Sequence, residues 1–487
     1  MCKRCILITV KSAAAAGPEE SSAAERIDTM PQTAPVKENK MGTMPVGRLL
    51  ASMSIPMMLS MMVQALYNIV DSIFVSMISE NALTAVSLAF PIQTLMISFA
   101  VGLAVGINAF LSRSLGQKNF ENVNKSAVNG IFIELLVMAA FMLVGLFLTK
   151  PFFDVQTSDP DIRANGYIYM RIVCCCSLGI FMEVTLERIL QATGRTFYSM
   201  VSQMTGAIFN IVMDPILIFG LFGAPKLGIA GAAAATVMGQ HIAATLALIL
   251  NLKKNDEVKF QVRGFRPDPF VLRGIFSVGL PSVIMQAIGS VMTYGMNRIL
   301  GRIDEAAVTA YGLYYKIQQF LLFAAFGLRD AITPVVSFNH GKRDRVRILA
   351  GIRYGLLYTL VIMAAGVILI ELLARPFSGI FGLSGATQEL TVGAMRVITL
   401  SLMFAGANVA FQGVFQALDA GPQSLVLSVC RQFLFVLPVA FVFSLIVGHD
   451  LSRLWLVWLT FLIAEGATVL IALGFMRKIR REKIDVL

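Results

Sequence analysis

The chain has 487 residues, of which 56% are hydrophobic and 14% charged, with a mean hydropathy of +0.74. A soluble protein carries about 25% charged residues, so this composition describes a polytopic membrane protein. The formal net charge of +11 does not describe a nucleic-acid groove, because the basic residues lie in short connections between apolar runs, as the positive-inside pattern requires. Six cysteines and three histidines form no disulfide framework and no metal-ligand cluster. Cys174, Cys175 and Cys176 sit together in an apolar run and read as packing. No phosphate loop and no nucleophile elbow is present, so an ATP-driven pump and a hydrolase are both disfavoured.

Residues 1–44 are polar and rich in Ala, Ser, Glu and Pro and are expected to be disordered. Their run CILITV is too short for a signal-peptide core. Met41, Met44 or an alternative codon at Val36 would serve equally as a start. Twelve apolar spans follow, near 48–78, 82–112, 126–149, 165–192, 197–221, 227–252, 270–300, 306–338, 346–373, 387–417, 423–447 and 453–476. The even-numbered connections and the tail carry most Lys and Arg, which predicts that both termini are cytoplasmic.

The halves repeat at an offset of 225 residues. Pro56 meets Pro281, Gly102-Leu103 meets Gly327-Leu328, Gly116 meets Gly341, Pro151-Phe152 meets Pro376-Phe377, and Gln191-Ala192 meets Gln416-Ala417. Each half has an even number of spans, so the two are parallel repeats about an axis along the membrane normal. The predicted fold is therefore all-α and polytopic, with twelve transmembrane helices in two pseudo-symmetric six-helix lobes enclosing a central cavity open to one side. The lobes are expected at 45–252 and 270–476, with a cytoplasmic linker at 253–269 and a basic tail at 477–487.

The first span, LLASMSIPMMLSMMVQALYNIVDSIFVSMI, contains Asp71. A carboxylate at the bilayer centre costs about 2.5–3.5 kcal/mol or more, so it either serves an ion or is neutralised by a neighbouring helix for packing. Gln64, Asn68 and Asp71 follow spacings of four and three and share a face, with Tyr67 beside them. In the fifth span, QMTGAIFNIVMDPILIFG, Asn210 and Asp214 are four apart, and Pro215 leaves the carbonyl of Ile211 without its usual helical partner. A free carbonyl, an amide and a carboxylate are hard oxygen ligands of the kind a small cation accepts; the alternative is a proline kink with a capping Asp. By helical rise, Asp71 lies roughly 33 Å, Asp214 roughly 25 Å and Thr236 roughly 14 Å along their spans, so the three reach the outer half and can meet. Glu183 falls in the inner half, near Glu187 and Arg188, and reads as a gate or an ion pair. Arg329-Asp330 reads as a solvated or gating pair, and Glu465 and Arg431 as candidates for the second lobe's cavity. Asp71 falls opposite Met296 in the repeat and Asp214-Pro215 opposite Leu437-Pro438, so the acids belong to the first half only. That asymmetry favours chemistry over packing.

The segments IPMMLSMMVQALYNIVDSIFV, GLAVGINAFLSRSLGQKNFENVNKS, LERILQATGRT, NIVMDPILIFG, LGIAGAAAATV and SFNHGKRDRVR together resemble the multidrug and toxic compound extrusion (MATE) family, in particular its small Gram-positive-type multidrug exporters. The resemblance spans about residues 44–480. It implies a secondary antiporter of the bacterial plasma membrane, not an enzyme, exporting cationic amphipathic compounds in exchange for H⁺ or Na⁺. It needs no cofactor beyond the coupling ion and no nucleic acid, and it works as a monomer in the lipid bilayer. The family's first-lobe cation site falls on Asp71, Asn210, Asp214 and Thr236. Another branch places acids in its second lobe; here the seventh span offers Gln286 and the tenth Asn408. The rivals are a lipid-linked oligosaccharide flippase of the same superfamily, a membrane-embedded enzyme and a channel.

Overall fold

A computed structural model describes residues 38–380 and 385–487. Ten helices are long and apolar enough to span a membrane, and two bent helix pairs bring the total to twelve when each pair counts as one span. The described residues begin with a single helical turn, α1 (Lys40–Thr43), followed by the first half: α2 (Val46–Ser76), α3 (Glu80–Gly116), α4 (Phe120–Leu143), α5 (Thr149–Gln156), α6 (Pro160–Cys175), α7 (Leu178–Ala192), α8 (Thr196–Phe219) and α9 (Ile229–Lys254). The second half contains α10 (Pro269–Leu300), α11 (Glu305–Gly341), α12 (Arg345–Ile380), α13 (Gly385–Thr399), α14 (Leu402–Ala417), α15 (Gly421–Val429), α16 (Val436–Val447) and α17 (Trp455–Ile479).

The 225-residue offset extends to the helix ends. Shifting α3 by 225 gives the bounds of α11, and α4 and α12 begin in the same register. The caps repeat: the Ser79 side chain accepts from Ala82 N–H at the start of α3, and Asp304 accepts from Ala306 N–H at the start of α11, each supplying an acceptor to a helix end whose N–H groups lack one. Left-handed turn residues repeat as well, at Lys118 and Arg343, Gly194 and Asp419, and Gly223 and Gly448. A non-glycine residue at positive φ is uncommon, so coincidence at Lys118 and Arg343 marks one turn used twice.

Two features interrupt the spans in ways that hydropathy does not signal. The fourth span is α6 and α7 meeting at 44°, and the tenth is α13 and α14 meeting at 48°. Single π-turns join α4 to α5 at Val144–Leu148 and α15 to α16 at Cys430–Phe435. The π-turns do not repeat between halves, whereas the bends do.

Three large apolar cores, beside a small cluster of Val105, Ala109 and Val278, position everything else. One is built jointly by both lobes: Leu50, Met53 and Met57 of α2 and Leu103, Ile107 and Phe110 of α3 pack with Val271, Ile275 and Val283 of α10 and Leu328, Ile332 and Val335 of α11. The other two are private to one lobe each. The first-lobe core holds Val75, Ala85, Phe181 and Ile218, and the second-lobe core holds Met296, Tyr311, Trp458 and Val457. The shared core occupies the end that carries Arg113, Lys118, Lys125, Lys342 and Arg343, here called the basic end. The private cores occupy the opposite end. The lobes therefore join at the basic end and diverge above it. Close backbone approach marks the junction: a Cβ on Gly102 would stand 2.5 Å from the Val283 nitrogen, and one on Gly327 would stand 2.8 Å from that of Met58. Met58 and Val283 are again 225 apart.

Disorder was expected through residue 44, and residues 39–44 depart from that expectation; residues 1–37 lie outside the described residues. Met41 is fully buried in the shared core. The carbonyl of Met41 accepts from Asn339 Nδ2 (3.2 Å) and Arg347 Nη2 (2.9 Å), and that of Met44 accepts from Arg347 Nη2 (2.7 Å). Asn39 Nδ2 donates to the Thr193 carbonyl at 3.0 Å. The segment thus bridges the two lobes: its carbonyls are held by the second lobe and its Asn39 side chain by the first. The linker is held by Asn129 Oδ1, which accepts from Asp268 N–H at 3.0 Å, and by Asn124 Oδ1, which accepts from Lys259 N–H at 2.6 Å.

Candidate ion and cargo sites

In the half of the first lobe away from the basic end, α2, α8 and α9 converge on one polar group. The carboxyl groups of Asp71 and Asp214 are within hydrogen-bonding reach of each other. Asn210 Nδ2 donates to Asp214 Oδ1 at 3.3 Å and to Thr236 Oγ1 at 3.4 Å. Asp214 and Asn210 are buried, one turn apart on α8, and Pro215 follows inside the same helix. The packing that brings α9 to α8 depends on small residues: a Cβ on Gly206 would meet the Gly239 carbonyl oxygen at 2.8 Å, and one on Gly239 would meet that of Gly206 at 2.8 Å. This crossing holds Thr236 beside Asn210.

Three buried oxygens in this group have no donor: Asp71 Oδ1, Asp214 Oδ2 and Asn210 Oδ1. Buried acceptors without donors are costly, and two carboxylates facing each other add repulsion. One proton shared between the acids, or one small cation among the oxygens, relieves both. The structure brings Asp71, Asn210, Asp214 and Thr236 together.

The remaining candidates are distributed differently. Tyr67, one turn before Asp71, faces the same interior and bonds to Gln64, whose Oε1 accepts from Gln203 Nε2 at 3.3 Å. Asn68 is exposed and lies outside the group, so the interior stripe of α2 is Tyr67–Asp71 and not Asn68–Asp71. Glu183 lies within electrostatic range of Tyr67 and of Glu187, and Glu187 accepts from Ser202 Oγ at 2.9 Å. Gln286 lines a small cavity at the lobe junction. Asn408 is engaged by Glu465, donating from Nδ2 to Oε2 at 2.7 Å and to the backbone carbonyl at 3.1 Å, and Arg431 Nε meets Glu465 Oε1 at 2.6 Å. The Asn408 amide nitrogen is thus taken up by the Glu465–Arg431 pair, while its Oδ1 is buried without a donor.

Arg329-Asp330 was expected to be solvated or gating. Asp330 is buried, which excludes solvation: it receives Arg329 Nη2 at 2.8 Å and, from the other lobe, Arg188 Nη1 at 2.7 Å. Tyr169 escaped the sequence reading. Its hydroxyl accepts from Gln93 Nε2 at 3.1 Å and lies within electrostatic range of Asp71 and Asp214. Nothing in its local sequence separates it from a packing tyrosine, because the contact crosses from α6 to α3. Among the described residues, no group of three or more His, Cys, Asp or Glu side chains could hold a metal ion.

Comparison with known proteins agrees with this geometry. The MatE family model matches the chain twice, over residues 56–216 and 281–442, which start 225 residues apart. The multidrug export protein MepA of Staphylococcus saprophyticus is 24% identical over 421 residues, covering 86% of this chain and 91% of that protein. A FAD transporter of Shewanella oneidensis is 25% identical over 414 residues, covering 83% and 89%. Among solved structures, the outward-facing conformation of a multidrug resistance MATE family transporter of the MOP superfamily superposes with a TM-score of 0.85 at 24% identity, covering 91% of this chain and 99% of that one. A twelve-span, two-lobed helical architecture, a repeat that the family model meets twice and matches over most of both chains leave one conclusion: this protein belongs to the MatE family of membrane transporters.

Proposed function

We propose that the protein is an antiporter that expels cationic amphipathic organic compounds across the bacterial plasma membrane in exchange for H⁺ or Na⁺. The coupling ion occupies the Asp71–Asn210–Asp214–Thr236 group. The basic end faces the cytoplasm, as the distribution of Lys and Arg favours, so the cleft between the private cores opens outward. The observation that carries the reading is the facing pair Asp71 and Asp214, with unpartnered buried oxygens on both. Binding an ion there changes the charge inside the first lobe beside Pro215, where the helix lacks a backbone donor and bends most easily. Ion entry and cargo release are then linked through one coupling free energy. A delocalised organic cation suits the cleft, since it loses less hydration than a compact ion and gains by apolar and aromatic burial. The relatives named as multidrug exporters point the same way.

The test is Asp71→Asn in proteoliposomes with an imposed pH or Na⁺ gradient and ethidium as cargo. The variant keeps the shape and removes the titratable group, so gradient-driven efflux is expected to vanish while ethidium binding persists. Normal efflux by the variant would assign Asp71 to packing.

A further inference from the structure

At the floor of the cleft, on the side of the second lobe, lies a cavity of about 60 Å³. It sits where the shared core ends: Gly102 of α3, Met285 of α10 and Phe326 of α11 form part of its wall, each beside a junction residue. Its polar wall is formed by Gln286, Arg329, Gln412, Gln416, Arg431 and Gln432. Arg431 and Gln432 reach it because the π-turn at Cys430–Phe435 inserts an extra residue at that point, a device that recurs at functional sites. The corresponding stretch of the first lobe is uninterrupted α8, which carries Asn210 and Asp214 instead. The two lobes thus present opposite chemistry.

No carboxylate stands on the cavity wall. The acids that balance the arginines stand behind them: Glu465 engages Arg431 through Nε, and Asp330 engages Arg329 through Nε and Nη2. The Arg329 guanidinium is further fixed over the Phe326 ring, 5.0 Å from its centroid. Each guanidinium carries five N–H donors, so donors remain for the cavity. Gln412 Nε2 and Gln416 Nε2 are already given to Ser428 and Ser282, which fixes those amides as wall, and the arginines supply the charge of the remaining surface. The volume exceeds several times the roughly 10–15 Å³ that one water needs and falls well short of the roughly 300 Å³ of a drug-sized pocket. It fits one planar oxyanion, and the planar guanidinium fork matches a carboxylate.

We propose that this cavity is a subsite for a carboxylate carried by the cargo, so that amphipathic zwitterions are preferred over their esters. The proposal rests on the reading that cargo occupies the cleft: the apolar body stays in the cleft and the carboxylate drops to its floor beside Arg431 and Arg329.

The experiment measures binding of rhodamine 110, a free carboxylic acid, against rhodamine 123, its methyl ester, to the purified full-length protein by fluorescence polarisation. Wild type is expected to favour rhodamine 110 by at least five-fold. Glu465→Gln frees Arg431 and is expected to raise that ratio. The double variant Arg431→Gln/Glu465→Gln removes both charges without leaving either buried alone, and the ratio is expected to fall to about one. A wild-type ratio of one, no binding of rhodamine 110, or a ratio unchanged in the double variant overturns the proposal. Thermal protection by acetate alone, with no preference between the rhodamines, would assign the cavity to a free anion and equally overturn it. Ethidium carries no carboxylate, so its gradient-driven export reports on the transport reading separately from the subsite.

Discussion

Gly116 and Gly341 stand 225 residues apart and press against each other's helices: a Cβ on Gly116 would lie 1.9 Å from the Phe338 carbonyl oxygen, and one on Gly341 would lie 2.1 Å from that of Arg113. Arg113 and Phe338 are themselves 225 apart, so α3 and α11 cross on the pseudo-two-fold axis and exchange the same contact. Both obstructing atoms are backbone, which cannot turn aside. Gly116→Ala and Gly341→Ala are each expected to destabilise the closed basic end by about 1–3 kcal/mol, the range for overpacking a tight contact. The two effects should match. Thermal unfolding in detergent, with protease accessibility of the 113–120 and 338–345 turns, measures this; a Gly341→Ala protein as stable and as protected as wild type would show that the crossing is loose.

The buried charges that join the lobes are unequal. Asp330 receives both Arg188 and Arg329, whereas Arg188 pairs with Asp330 and also donates from Nη1 to Gln191 Oε1 at 3.0 Å. Asp330→Asn leaves two buried guanidiniums uncompensated and is expected to cost about 3–5 kcal/mol, the range for breaking a buried pair. Arg188→Gln leaves Asp330 with Arg329 and should cost distinctly less. Denaturation midpoints for both variants and the double decide the matter, and equal single effects would contradict the shared-acid geometry.

Thr236 joins the proposed ion group through a 3.4 Å contact from Asn210 Nδ2 to its hydroxyl. Thr236→Val preserves shape and removes one oxygen. It is expected to lower ion-driven ethidium efflux by less than about ten-fold, one weak ligand being worth about 1 kcal/mol, while Asp214→Asn abolishes it. Transport rates against ion concentration distinguish the two, and full loss in Thr236→Val would move the hydroxyl to the centre of the site.

Arg347 ties residues 41–44 to the second lobe through two carbonyls and also donates from Nε to Asn339 Oδ1 at 3.0 Å. Arg347→Ala is expected to release this segment, so limited proteolysis should cut between residues 39 and 48 several times faster than in wild type. Unchanged cleavage would mean that Met41 burial alone holds it.

Much of this was legible because the relevant signals are local or periodic. The spans follow from hydropathy, and the repeat from residue pairs such as Pro56 and Pro281. Asp71 and Asp214 stand out because carboxylates in apolar helices are rare, and helical rise alone puts them at compatible depths. The pairing of Arg188 with Asp330 was not legible, since it depends on how two lobes meet and each residue has closer charged neighbours in sequence. The same holds for Asn408: its amide looked available, but its partner Glu465 lies 57 residues away on another helix. Residues 39–44 looked unstructured because composition reports the cost of ordering a polar segment, not the carbonyl-seeking donors that another part of the chain supplies. The 44° and 48° bends have no proline at the break, and so no punctuation in the sequence.

The jointly built core has a consequence for what half of this chain could do alone. A single 225-residue half would keep its private core intact yet expose the face carrying Leu103, Ile107 and Phe110, or its counterpart carrying Leu328, Ile332 and Val335. Two copies of one half, related by a two-fold axis, would cover that face and make the Gly116-type contact twice, which is the geometry of an isologous homodimer. The interface between the lobes thus has the symmetry of an isologous dimer interface within one polypeptide, and the basic linker makes the meeting of the two halves intramolecular.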